Sequence, residues 1–101
     1  MPLHIEIVES LDYAAPVSPV TIGTSSATLV AANESRKYLR ILNTGAAAIY
    51  LAFGATAVVG SGIYVGATTG TFVMTIDNLT TEAVTAESSG ADNVVYVQEA
   101  N

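Results

Sequence analysis

Few residues in this chain have side chains that could carry out chemistry, and the sequence does not group them. His4 is the single histidine, and it lies close to Glu6 in the alternating stretch "LHIEIVE", where it could act as a base or a metal ligand. One histidine without cysteine cannot complete a zinc site, and nucleophilic catalysis needs a base positioned against its nucleophile. The nine Asp and Glu residues are spread along the chain without any sign of a catalytic acid pair. The sequence therefore predicts a protein that is not an enzyme and that uses no cofactor and no metal.

The positive charges, in contrast, are concentrated in one place. Arg36, Lys37 and Arg40 all lie in "NESRKYLRILN", and the net charge of the chain is −6. In one interpretation this stretch is an ordinary exposed loop, with Arg40 paired to an acid across the sheet, which contributes about 0–1 kcal/mol. In the other, the three residues form a cationic edge, with Tyr38 inside it, that contacts acidic groups of a neighbouring chain and sets its orientation. Both fit the sequence, and the charge asymmetry leads us to predict the interface.

The aromatic residues also favour contact with other chains. The sequence has five tyrosines, two phenylalanines and no tryptophan. Tyrosine is enriched at interfaces because it combines a large apolar surface with a polar tip, although some tyrosines simply cover the ends of a sandwich. The tyrosines predicted to lie at a protein interface are Tyr13, Tyr38, Tyr50 and Tyr64.

The composition also favours contact with other proteins. Charged residues make up 12% of the chain and the mean hydropathy is +0.48, whereas an ordinary soluble domain has about 25% charged residues. The surface must consist largely of Ala, Thr, Ser and Gly. We expect another protein to cover part of it and the chain to form a homo-oligomer; the alternative is a monomer with a Thr- and Ser-rich surface.

Charge and hydropathy argue against several other partners. Three cations are too few to bind the phosphates of a nucleic acid. The longest apolar run, residues 46–53, is far shorter than the roughly 20 residues that a membrane helix needs. The first ten residues carry Glu6 and Glu9 and lack the basic region of a secretory signal. We expect synthesis in a cytoplasm and no contact with nucleic acid or membrane.

The elements that must position these residues are β-strands. Val, Ile, Thr and Tyr are frequent, and turn residues recur about every ten positions, which is the all-β pattern. The 101 residues fit one domain. We predict a single antiparallel β-sandwich or jelly-roll-like barrel over residues 20–101. A strand and an extended N-terminal arm, in which Pro16 and Pro19 follow the strand, precede it over residues 1–19. The predicted core residues are Leu39, Ile41, Ile49, Leu51, Phe72, Ile76 and Val95.

One local feature is predicted in more detail. In "RILNTGAAAIYL" two β-rich runs flank Asn43–Ala46, where Asn and Gly tolerate left-handed backbone angles. The pattern predicts a β-hairpin over residues 38–53. A second strand further along is predicted at residues 82–86.

The run "SATLVAANESRKYLRILNTGAAAIYLAFG", residues 26–54, resembles a pattern found in small structural proteins of tailed bacteriophages. The resemblance covers 29 of the 101 residues and consists mainly of turn punctuation between strands. It implies a virion component on the capsid surface: a capsid decoration (cement) protein bound to the major capsid protein, or a module of a tail or head spike. The positions that carry it are Asn33, Arg36, Leu39, Ile41, Asn43, Gly45, Tyr50 and Gly54.

These observations lead to three candidate functions. The first is a decoration protein that binds and stabilises the phage head lattice or joins other virion proteins. The second is a carbohydrate-binding module of a phage tail, collar or spike, in which Tyr50 or Tyr64 would contact the sugar. The third, a small enzyme of the cupin type, is disfavoured because such metal sites take two or more histidines.

Overall fold

Where the structure describes it, the chain folds into eight β-strands. The computed structural model describes residues 18–75 and 78–101, and no helix occurs among them. The strands are β1 (Ser18–Ile22), β2 (Ala27–Val30), β3 (Tyr38–Asn43), β4 (Ile49–Phe53), β5 (Ile63–Val65), β6 (Gly70–Met74), β7 (Val84–Ser88) and β8 (Asn93–Ala100).

The strands form two four-stranded antiparallel sheets that pack face to face. Sheet A has the order β1-β8-β3-β6 and sheet B the order β2-β7-β4-β5. The first strand thus lies beside the last and the second beside the seventh, which is the strand order of an eight-stranded jelly roll. The predicted all-β antiparallel sandwich is confirmed.

Alternating side chains create the core between the sheets. In β3, Leu39 and Ile41 are fully buried, whereas the residues that alternate with them, Tyr38, Arg40 and Leu42, are half-buried on the outer side. This alternation follows from the period of two along a strand. Five predicted core residues are confirmed as buried, Phe72 packs against the core while partly exposed, and Ile76 lies outside the described residues. The confirmed five are Leu39, Ile41, Ile49, Leu51 and Val95.

The predicted hairpin over residues 38–53 is wrong. β3 belongs to sheet A and β4 to sheet B, so residues 44–48 cross from one sheet to the other. Asn43 does not turn the chain back, because its side chain is buried and bonded in the interior. Gly45 does not have a positive φ; a Cβ there would overlap the side-chain amide of Asn93. Close packing, not a left-handed turn, requires this glycine.

Two predicted boundaries also shift. β1 begins at Ser18, so Ser18 and Pro19, which were assigned to the arm, belong to the sandwich. β7 spans Val84–Ser88 and not residues 82–86. The remainder of the predicted arm, with its strand at residues 3–9 and with Tyr13, lies outside the described residues.

Candidate protein-interaction surfaces

Arg36 is an interior residue. It lies in the connection between β2 and β3, and only 1% of its surface is exposed. Its Nε donates to Glu99 Oε2 in β8 at 2.6 Å, in an ion pair whose carboxylate side chain is 28% exposed. Its Nη1 donates to the carbonyls of Thr80 and Glu82 at 2.8 and 2.9 Å, and Nη2 donates to the Ala31 carbonyl at 2.8 Å. We call Arg36 and these four partners the Arg36 network.

The Arg36 network corrects the prediction that Arg36 contacts a neighbouring chain. Its guanidinium group already binds the loop before β3, the loop before β7 and strand β8, all within one chain. A planar fork of five N–H donors suits this task, because it can donate to a carboxylate and to several loop carbonyls at the same time. The predicted cationic edge is thus divided: Arg36 has a structural role, and only Lys37 and Arg40 remain as candidates for contact with another chain.

A second polar network closes the opposite end of the sandwich. Asn43, at the end of β3, and Asn93, at the start of β8, are almost completely buried. Asn43 Nδ2 donates to the carbonyls of Ala47, Val65 and Gly66 at 2.8, 3.3 and 3.1 Å. These contacts join the end of β3 in sheet A to the last residue of β5 in sheet B, Val65, and to the loops that contain Ala47 and Gly66.

The two asparagines also bind each other. Asn93 Nδ2 donates to Asn43 Oδ1 at 2.8 Å, and Asn93 Oδ1 accepts the N–H of Ala47 at 3.0 Å. The backbone carbonyl of Asn43 accepts the N–H of Thr69, whose φ is 77°, in a left-handed turn that a β-branched residue rarely adopts. We call this set the asparagine network. The sequence pattern predicts a turn at Asn43 and does not single out Asn93.

Arg40 lies on the outer face of sheet A. It is half-buried and stands directly opposite Val73 in β6 and Gln98 in β8. It lines a shallow depression of about 260 Å³ together with Leu42, Thr44, Tyr96 and Gln98. The residues of β3, β6 and β8 that strand alternation and register place on the same side as Arg40 define what we call the sheet A face: Arg40, Leu42, Thr71, Val73, Val94, Tyr96 and Gln98.

The sheet A face combines apolar side chains with a single charge. Val73 is 41% exposed, and Leu42 and Tyr96 are adjacent in the register of β3 and β8. Among the described residues that form this face, Arg40 carries the one charge and no acid is present. Such a surface suits a partner that offers apolar groups around one carboxylate.

Lys37 and Tyr38 lie at the edge of this surface. Lys37 is exposed, its backbone N–H donates to the Ala100 carbonyl at 2.8 Å, and Tyr38 begins β3 opposite Ala100. Both residues already make contacts within the chain. Their predicted interface role remains a prediction.

Tyr50 and Tyr64 come together on the outer face of sheet B. They are register partners in β4 and β5, their ring centroids lie 5.5 Å apart, and the ring planes meet at 65°. Tyr64 is 62% exposed, and Glu87 of β7 is opposite Tyr50 on its other side. Two of the predicted interface tyrosines thus form one site, which we call the tyrosine pair, on the side of the sandwich opposite the sheet A face.

The edges of the two sheets are less suited to binding a partner. In sheet A, Pro19 in edge strand β1 lacks an N–H, and at the other edge Asn78 binds the backbone next to β6. Asn78 Nδ2 donates to the Val73 carbonyl at 3.1 Å and its Oδ1 accepts the Thr75 N–H at 2.7 Å. These are groups that an added strand would need. The edge strands of sheet B, β2 and β5, have four and three residues.

Within residues 18–75 and 78–101, no three or more His, Asp or Glu residues come close enough together to hold a metal ion. No helix in those residues is long and apolar enough to cross a membrane.

Comparisons with protein-family models, with curated proteins and with solved structures give no significant match to this chain.

Proposed function

We propose that the protein is a virion structural protein, a capsid decoration protein that attaches to the head lattice of a tailed phage through the sheet A face. The observation that carries this proposal is the composition of that face. Leu42, Val73 and Tyr96 provide apolar contact area around Arg40, without a neighbouring acid on the same face. Apolar area supplies affinity, and one charge in the middle supplies orientation.

The charge distribution supports attachment to an acidic partner. The chain has a net charge of −6, and Glu34, Glu82 and Asp92 are exposed elsewhere on its surface. Two copies therefore repel each other except where Arg40 or Lys37 meets a carboxylate. An acidic patch on the major capsid protein, or on the next copy in a homo-oligomer, is the partner that this surface fits.

The edges support attachment by a face. A partner strand would have to compete with Asn78 at one edge of sheet A and would meet Pro19 at the other. Such features prevent edge-to-edge pairing in natural β-proteins. Attachment through the largely uncharged sheet A face does not need a free sheet edge and is therefore compatible with these features.

The fold alone does not select this function. Jelly rolls occur in viral capsid proteins, in lectins and in cupins, so the strand order supports the virion role only by analogy. The resemblance of residues 26–54 to small phage structural proteins favours the virion role. The alternative, a carbohydrate-binding module, is favoured by a different observation, the tyrosine pair.

The proposal predicts that attachment depends on Arg40. Particles that lack this chain are mixed with purified wild-type protein and with the Arg40→Glu variant, and the bound copies are quantified after sedimentation. We expect wild type to bind in many copies and Arg40→Glu to bind at least about tenfold more weakly, because an attraction becomes a repulsion.

Glu34→Gln is the matched control, since it changes an exposed charge outside the sheet A face. It should bind as wild type does, and all three proteins should have similar unfolding curves. Undiminished binding of Arg40→Glu, or the absence of the chain from purified particles, would contradict the proposal.

A further inference from the structure

The tyrosine pair and Glu87 form one row across sheet B. Register pairing places Tyr64 opposite Tyr50, and Tyr50 opposite Glu87, on three adjacent strands. Neighbouring strands are about 4.8 Å apart, so the row is about 10 Å long, which is the scale of one or two sugar rings. All three side chains point outward, because they alternate with the buried residues Leu51, Val65 and Ala86.

The ring of Tyr64 lies along its strand. Its Cε1 and Oη atoms are 3.5 and 3.6 Å from the position that a Cβ would occupy on Gly66, two residues further along. The side chain therefore extends over the glycine and does not stand upright from the sheet. With 62% of the residue exposed and the Tyr50 ring steeply inclined beside it, the pair forms an open corner with an aromatic floor and wall.

We propose that this corner is a binding site for a neutral hexose unit of a glycan. The face of a hexose ring that carries axial C–H groups is apolar and slightly positive, and it stacks on the electron-rich face of a tyrosine. The hydroxyl groups at the ring edge are hydrogen-bond donors. The Glu87 carboxylate accepts such donors, in charge-assisted bonds that are stronger than neutral ones.

Charge determines which sugars the site accepts. Glu87 is the charged residue in the row, and the three cations lie in β3 of sheet A or in the connection before it. An anionic sugar such as a uronic or sialic acid would face Glu87 and a net charge of −6 without a nearby cation. The site therefore takes neutral hexoses and excludes acidic ones.

This inference goes beyond the proposed attachment. The tyrosine pair is on the side of the sandwich opposite the sheet A face, so a copy attached through sheet A exposes Tyr64 outward. Many copies on one particle would present many weak sites, whose combined avidity can exceed the single-site affinity by about 10²–10⁴. The free protein can bind a sugar without being attached to a particle. The sugar-binding proposal and the attachment proposal can therefore fail independently of each other.

The test uses saturation-transfer difference NMR on the isolated protein with methyl β-glucoside, methyl β-galactoside and methyl α-mannoside at millimolar concentration. We expect transfer from the protein to the axial ring hydrogens of at least one hexoside, and none to methyl glucuronide. Tyr64→Ala should weaken binding by about tenfold or more, Tyr64→Phe should retain it, and Glu87→Gln should weaken it several-fold.

Val73→Ala, on the sheet A face, is the control and should bind as wild type does. Tyr64 is largely exposed, so its variants should remain folded, and their unfolding curves confirm this. The proposal is overturned if wild type transfers saturation to no hexoside, or if Tyr64→Ala binds as tightly as wild type.

Discussion

Replacing Arg36 with glutamine is expected to lower the free energy of unfolding by about 3 kcal/mol or more, because several hydrogen bonds to a buried charged group are lost and each contributes about 1.5–3 kcal/mol. Glutamine cannot replace the four N–H groups that bind Glu99 and three loop carbonyls. Arg36→Lys should also be destabilising, because a single ammonium cannot reproduce the planar fork. Domains of this size have about 5–15 kcal/mol of stability in total, so the loss is a large fraction. Equilibrium unfolding in urea measures it.

Arg40→Gln is the matched control, since it is the same substitution four residues further along. Arg40 lies on the outer face of sheet A, where the loss of a charge costs about 0–1 kcal/mol in the isolated chain. The Arg36 account fails if Arg36→Gln and Arg40→Gln have similar unfolding curves. It also fails if Glu99→Gln, which removes the charge of the partner, leaves stability unchanged.

Replacing Asn43 with leucine is expected to cost about 3 kcal/mol or more, because each buried polar group left without a partner costs about 1–3 kcal/mol. Leucine has the same number of side-chain heavy atoms and a larger volume, so the loss does not arise from a cavity. It leaves the Asn93 amide without its acceptor and removes the donor that binds the carbonyls of Ala47, Val65 and Gly66. Thermal and urea unfolding of the variant measure the change.

A double-mutant cycle separates the asparagine network from independent effects. Asn43→Leu and Asn93→Leu each remove the bond between the two side chains, so the double variant should lose less stability than the sum of the single losses, by at least about 0.5 kcal/mol. Additive losses would show that the two side chains do not act together.

The sequence predicted the fold class because period-2 alternation and turn residues are local signals. Leu39 and Ile41 alternate with Tyr38, Arg40 and Leu42, and this period of two correctly placed them in the core. Strand pairing was predicted less well. "NTG", which begins with the last residue of β3, has the composition of a hairpin turn, but Asn43 is bonded into the interior and the chain crosses to the other sheet. Composition alone does not distinguish a turn from a buried polar contact.

The roles of the basic residues required the topology. Arg36 and Glu99 are 63 positions apart, and they meet because β8 pairs with β3, whose first residue follows Arg36 by two positions. Nothing in "NESRKYLR" distinguishes Arg36 from Lys37 or Arg40 before that pairing is known. Tyr50 and Tyr64 were identified from residue type, whereas their contact with each other and with the row ending at Glu87 depends on the register of β4 with β5 and β7.

The proposed function concerns which face of the sandwich contacts the partner, and an electron cryomicroscopy map of the particle that carries the chain tests this most directly. We expect each copy to lie with the sheet A face against a neighbouring chain, with Arg40 within about 4 Å of a carboxylate. Tyr64 should then face the solvent on the other side. A map in which the sheet A face is open to solvent, or in which sheet B makes the contact, would contradict the proposal.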